Sequence, residues 1–189
     1  MAGAAIVLAA SMAGMAANAA NLVTNGSFET GDFTGWTQFG DESYTGVTGC
    51  QGNGCATDGV DLAYFGPVNG VGGISQTLAT GAGLYDISFD LSNYQGAYFS
   101  ADFGGVSLLV NVPQELVTHY SFTDVAASGP TTLSFSFQNT PDYYTLDDVS
   151  VTAAAGVPEP ASWALMLTGA FGLGATLRSA RRRAAVAAA

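Results

Sequence analysis

Between residues 21 and 152, short apolar, β-branched and aromatic runs alternate with clusters of Gly, Asn, Asp and Pro, and no stretch sustains a 3.6-residue period. The spacing predicts strands over 62–65, 73–78, 83–92, 107–112, 116–122, 131–138 and 144–152. In LYDISFDLS, residues Tyr85, Ile87, Phe89 and Leu91 share one parity and are assigned to the core, while Leu84, Asp86, Ser88 and Asp90 share the other. TTLSFSFQ repeats the pattern with Leu133, Phe135 and Phe137. About eight strands at such intervals make an all-β fold, an antiparallel sandwich of two facing sheets.

Both flanks depart from this pattern. Residues 4–15 are an apolar run, followed by the small-residue pattern Ala17-Asn18-Ala19. This reads as a secretory signal peptide over 1–20. A short N-terminal membrane helix is the competing reading, although the run is short and glycine-rich for a span. At the other end, Val157-Pro158-Glu159-Pro160 leads into an uncharged run over 161–177, then Arg178, Arg181, Arg182 and Arg183. The two prolines keep the segment before the run extended, within reach of a protease. As a helix the run is about 25 Å long, enough to cross a thin bilayer. Trp163 belongs at its outer interface, and the arginines belong on the cytoplasmic side, with the β-domain outside. The organisation expected is signal peptide 1–20, β-sandwich 21–153, linker 154–160, transmembrane helix 161–177 and basic tail 178–189.

Charge narrows the function classes. The 189-residue chain carries 15 acidic residues against 4 Arg and no Lys, and every Arg lies at or beyond Arg178. Phosphate-backbone binding takes most of its affinity from Lys and Arg displacing counterions, so nucleic acid is excluded as a partner. Bidentate Arg capture of carboxylate or phosphate, and Schiff-base chemistry at Lys, are likewise closed to the β-domain. The acidic excess suits divalent cations, or serves as a solvated surface.

Export bears on the cysteines. Cys50 and Cys55 enclose QGNG in GCQGNGCATDG, and in an oxidising compartment two cysteines so close across a flexible turn are expected to pair. Zinc competes poorly, since His119 is the sole histidine that could join them.

Two segments carry a resemblance. NLVTNGSFETGDFTGWTQFG opens the domain and YYTLDDVSV closes it, a pairing that resembles the jelly-roll, galactose-binding-like sandwiches of many carbohydrate-binding modules. The resemblance implies that the opening Glu29 and one of Asp147 or Asp148 help hold a structural Ca2+ with backbone carbonyls. Hard oxygen ligands fit that ion, and the alternative is that these carboxylates are solvated or cap strand ends. Sugar binding needs exposed aromatic faces beside hydrogen-bonding groups. The stretch SNYQGAYFSAD, read as a loop, offers Asn93, Tyr94, Gln95 and Tyr98, and SYTGVTG offers Tyr44. Aromatics in β-proteins more often fill the core than form a platform, and that is the competing reading for these tyrosines.

Catalysis finds less support. A Ser-His-Asp arrangement would have to use His119, which lies in the strand-like LVTHYSF without a G-x-S-x-G nearby, so a structural role is expected for it. A secreted glycoside-acting hydrolase using paired carboxylates is the alternative in another class.

The tail over 157–183 resembles the PEP-CTERM sorting signal of Gram-negative bacteria, with Pro158-Glu159-Pro160, Ala161, Trp163 and the arginine cluster all in the family's order. The resemblance implies an inner-membrane-anchored precursor, cleavage near Pro-Glu-Pro by exosortase, and a mature form at the outer surface or released. Proteins of this kind accompany exopolysaccharide and biofilm matrix, which makes exopolysaccharide the expected ligand. The expectation is therefore an exported, non-catalytic surface or matrix protein.

Overall fold

The computed structural model describes residues 19–50, 55–139 and 142–154. The expected signal segment falls outside them save for its last two residues. Pro158, Glu159, Pro160, Trp163, Arg178, Arg181, Arg182, Arg183 and the helix expected over 161–177 lie outside them as well. Among the described residues no helix is long and apolar enough to cross a membrane.

Ten strands are described: β1 Thr37–Gly40, β2 Thr45–Gly49, β3 Asp61–Phe65, β4 Gly72–Leu78, β5 Ala82–Asn93, β6 Tyr98–Phe103, β7 Val106–Val110, β8 Glu115–Ser128, β9 Thr131–Gln138 and β10 Tyr144–Ala153. They form two five-stranded antiparallel sheets, in the orders β1-β4-β9-β6-β7 and β2-β3-β10-β5-β8. The first is called the front sheet below, and the second the back sheet.

Strand alternation builds the core. Tyr85, Ile87, Phe89 and Leu91 of β5 are buried, as are Leu133, Phe135 and Phe137 of β9, as their parity predicts. Aromatic rings from opposite sheets meet between the layers: Phe89 meets Phe135 edge-on at 5.1 Å, and Tyr85 lies 6.1 Å from Phe103. Such contacts add to burial, which contributes about 1.5–3 kcal/mol for a Phe side chain.

The strand map differs from expectation in three places. YFSADF, expected within a loop, is β6, and it lies in the interior of the front sheet between β9 and β7. Its inward Phe99, Ala101 and Phe103 are fully buried, and small Ala101 and Ser100 had masked the alternation. β8 continues six residues past Phe122 because β5 remains beside it as far as Ala82. The short β1 and β2 pair with β4 and β3 respectively and have too few apolar residues to stand out alone.

The opening motif docks onto the closing strand. Leu22 N–H donates to Val151 O at 2.8 Å, and Val149 N–H donates to Gly26 O at 3.0 Å. A Cβ on Gly26 would sit 2.1 Å from Val149 O, so the motif needs glycine there. Asn25 gathers its own loop by donating from Nδ2 to Asp32 O and Thr34 O, and Trp36 Nε1 donates to Asn25 O at 3.0 Å. Phe28 plugs the core beneath Trp36, the rings 5.9 Å apart.

Candidate functional site

Residues facing the core leave their neighbours facing out. On β3, Ala63 and Phe65 point inward, so Leu62 and Tyr64 face the outer surface of the back sheet. By the same alternation Thr145, between buried Tyr144 and Leu146 on β10, faces outward. Thr48 of β2 is in register with Leu62. These residues, with Cys50, Tyr94, Asp142 and Tyr143, line a cleft of about 540 Å³.

Two glycines make room for its tyrosines. A Cβ on Gly46 would lie 2.6 Å from the Tyr64 hydroxyl, and one on Gly66 would lie 2.7 Å from the Tyr143 ring. Each ring therefore lies across bare backbone. The Tyr64 and Tyr143 rings meet at 5.8 Å and 76°, an edge-to-face pair that presents two differently oriented faces. Tyr94 is tied to the same place, its N–H donating to Tyr143 O at 3.3 Å. Cys50 is disulfide-bonded to Cys55, with Cα atoms 5.1 Å apart. The bridge anchors one wall of the cleft.

The residues singled out from sequence are spread over the fold. Tyr94 lines the cleft. Tyr44 is 63% exposed and sits beside Gly66, whose added Cβ would be 3.2 Å from Tyr44 Cβ. Gln95 is exposed. Asn93 is buried, and its amide is used inside the fold, donating to Val112 O at 2.9 Å and accepting from Gly96 N–H. Tyr98 opens β6 in the front sheet, the other layer of the sandwich from the cleft. Tyr64, Tyr143 and Asp142 were not anticipated. The signal for Tyr64 was its parity opposite Phe65, visible once the strand's inward face is known.

A second polar region lies where the opening motif meets β3 and β10. Glu29 Oε1 accepts from Val60 N–H at 2.6 Å and Asp61 N–H at 2.7 Å, and these bonds, Asp61 first, hold its carboxyl below the usual range. Asp147 Oδ2 accepts from Thr57 N–H at 2.6 Å and Asp58 N–H at 3.0 Å. The two carboxylates therefore grip opposite ends of the 57–61 segment. Burial nevertheless pushes the Asp147 carboxyl up against these bonds, and its Oδ1 is buried without a hydrogen-bond partner among the described residues. Asp148 turns elsewhere, towards Asp90 and His119.

No family model matches the sequence, and no curated protein matches it. Solved structures do. The carbohydrate-binding module TmCBM61, solved in complex with β-1,4-galactotriose, matches with a TM-score of 0.62 at 19% identity, over 71% of this chain and 99% of that one. The xylan-binding domain of carbohydrate-binding module family 22 matches with a TM-score of 0.51 at 16% identity, over 73% and 98%. The enzymatically active domain of tailspike protein 4 from bacteriophage CBA120 matches with a TM-score of 0.56 at 15% identity, over 70% of this chain and 21% of that one. At such identities the likeness is one of fold. The described domain is an antiparallel β-sandwich similar to carbohydrate-binding modules.

Proposed function

We propose that the sandwich binds a segment of neutral polysaccharide in the cleft of Tyr64, Tyr94 and Tyr143 and does not cleave it. The convergence of three tyrosines around one cleft carries the proposal. The electron-rich faces of such rings attract the C–H face of a pyranose, and Thr48, Thr145 and Asp142 stand beside them to meet sugar hydroxyls. The fold supports the reading, since TmCBM61 was solved with a bound galactotriose. Neutrality follows from charge. All the acidic residues but Glu159 precede the tail and no Lys or Arg does, so a polyuronate would be repelled. Hydrolysis is disfavoured because two carboxylates must flank the bond, and Asp142 is the one carboxylate among the residues lining the cleft.

Affinity electrophoresis of the purified chain against soluble galactans, xylans and polyuronates tests this. Retardation by a neutral glycan, lost in Tyr64→Ala, supports it. Release of reducing sugar would favour the hydrolase alternative.

Calcium belongs to the same proposal in a structural role. Glu29 and Asp147 would hold it, and the fit rests on the unpartnered, buried Asp147 Oδ1 between carboxylates that converge on one segment. A bound divalent cation supplies the charge that Asp147 lacks there. The tail supports a reading as an exported surface protein cut by exosortase near Pro158-Glu159-Pro160, with exopolysaccharide as the encountered ligand. Intact mass of the protein from the native cell surface tests it. A mass retaining Arg181 to Arg183 would mean a standing membrane anchor.

A further inference from the structure

The chain contains one histidine, and it is not among the residues lining the cleft. His119 of β8 stands in register with Asp90 of β5, and Asp90 with Asp147 of β10. Beyond that pair β10 bulges, and Asp148 adopts φ 47°. One donor atom from each of Asp90, His119 and Asp148 then lies within 4.8 Å of the other two. Three adjacent strands of the back sheet supply the three groups.

The charges in this cluster do not balance. Asp90 is 8% exposed. Its carboxylate meets His119, whose Nδ1 is 2.6 Å from Asp90 Oδ1. Asp148 lies among the carboxylates of Asp90, Asp58 and Asp147. No Lys or Arg precedes Arg178, so no Lys or Arg among the described residues offsets these carboxylates.

We propose that Asp90, His119 and Asp148 form a binding site for a divalent transition ion of the zinc type. Two carboxylates and an imidazole are a mixed hard and borderline donor set, which suits zinc and its neighbours and gives calcium too few oxygens. Ligand bonds of about 2.0–2.2 Å at near-tetrahedral angles place two donors on one ion about 3.4 Å apart. No side of the present triangle exceeds 4.8 Å, so side-chain rotation closing its longest side by at most about 1.4 Å, and widening a short one, meets that geometry. A ligating imidazole nitrogen binds the ion without its proton, and three protein ligands leave coordination positions open to solvent. The site shares no residue with the Glu29–Asp147 pair, which it adjoins on β10, and does not depend on the glycan reading.

The sole imidazole is its own reporter. The full-length chain, 15N-labelled and purified without a polyhistidine tag, is titrated with zinc sulfate while the ring nitrogens of His119 are followed by long-range 1H–15N NMR. The expected result is saturation at one equivalent with a shift of the ligating nitrogen, and no response to millimolar calcium. His119→Gln and Asp148→Asn, read by calorimetry, are each expected to weaken zinc by about ten-fold or more, with Glu29→Gln unchanged. The His119 side chain is 56% exposed, so the substitution leaves the core untouched. Ring nitrogens unmoved at about 1 mM zinc would overturn the site. So would equal zinc affinity in wild type, His119→Gln and Asp148→Asn, or a loss in Glu29→Gln matching theirs.

Discussion

Phe65 of β3 lies flat on Phe137 of β9, with 3.9 Å between ring centroids and 6° between planes. The stack joins the back sheet to the front sheet, and both rings are fully buried. It also orients the surface, because with Phe65 turned inward its neighbour Tyr64 must face the cleft. Phe137→Ala is expected to cost about 3–5 kcal/mol, through lost transfer energy and the cavity left between the sheets. Urea unfolding monitored by circular dichroism measures this. A loss below about 1 kcal/mol would mean that the layers are not held together there.

Glycan affinity should divide by sheet. Tyr64→Ala and Tyr143→Ala remove faces from the cleft and are each expected to weaken a neutral oligosaccharide by about ten-fold, equivalent to about 1.4 kcal/mol. Tyr98→Ala, in the front sheet, is expected to leave binding unchanged. Calorimetry with a galactan or xylan oligosaccharide reads both, and equal losses at Tyr98 and Tyr64 would relocate the site.

Opening the Cys50–Cys55 bridge should act on stability and binding together. The closed loop is short, so loop entropy predicts a loss of about 2 kcal/mol in the Cys50→Ser/Cys55→Ser variant, seen as a Tm lowered by several degrees. Because Cys50 lines the cleft, glycan affinity is expected to fall with it. Unchanged affinity beside a lowered Tm would assign the bridge to stability alone.

Calcium should stabilise the fold through its two gripping carboxylates. A thermal melt with excess calcium is expected to exceed the melt in chelator, by an increment that grows with ion concentration. Asp147→Asn and Glu29→Gln should each reduce that increment. A Tm indifferent to chelation would remove the ion from the proposal.

The acid limb of stability has an identified contributor in Asp41. Its carboxyl is held below the ordinary 3.8 by the Ser43 hydroxyl, then by the N–H groups of Ser43 and Asn69, at 3.0 and 2.7 Å to the carboxylate oxygens. A depressed folded value means that the unfolded chain takes up protons first as pH falls. The contribution is thus present above 3.8 and is lost as pH drops through the lower folded value. Asp41→Asn is expected to flatten the fall in Tm below about pH 4 relative to wild type. Parallel Tm profiles would show that these bonds do not couple to stability.

Much of the sandwich is written locally. Tyr85 to Leu91 and Leu133 to Phe137 declare their inward faces by alternation, because a strand has a period of two and water penalises the wrong face. The opening motif was legible through its resemblance, but the roles of Gly26 and Trp36 were not, because Gly26 approaches Val149 of β10 and Trp36 packs on Phe135 of β9. β6 was not, because Ser100 and Ala101 weaken an alternation that becomes visible once β7 and β9 flank it.

By itself the sequence determined that this domain is built of strands, that its two cysteines are close enough to pair, and that it has no Lys or Arg before residue 178. These are properties of neighbouring residues and of composition. Tertiary structure alone decided which tyrosines share a surface. Tyr64, Tyr94 and Tyr143 come from separate stretches of chain and meet because β3 and β10 are paired, whereas Tyr98, four residues from Tyr94, crosses to the other sheet. The assignment of adjacent Asp147 and Asp148 to different neighbours was decided there as well. It depends on a single bulge in β10, whose position is set by pairing with β5 and by the docked opening segment.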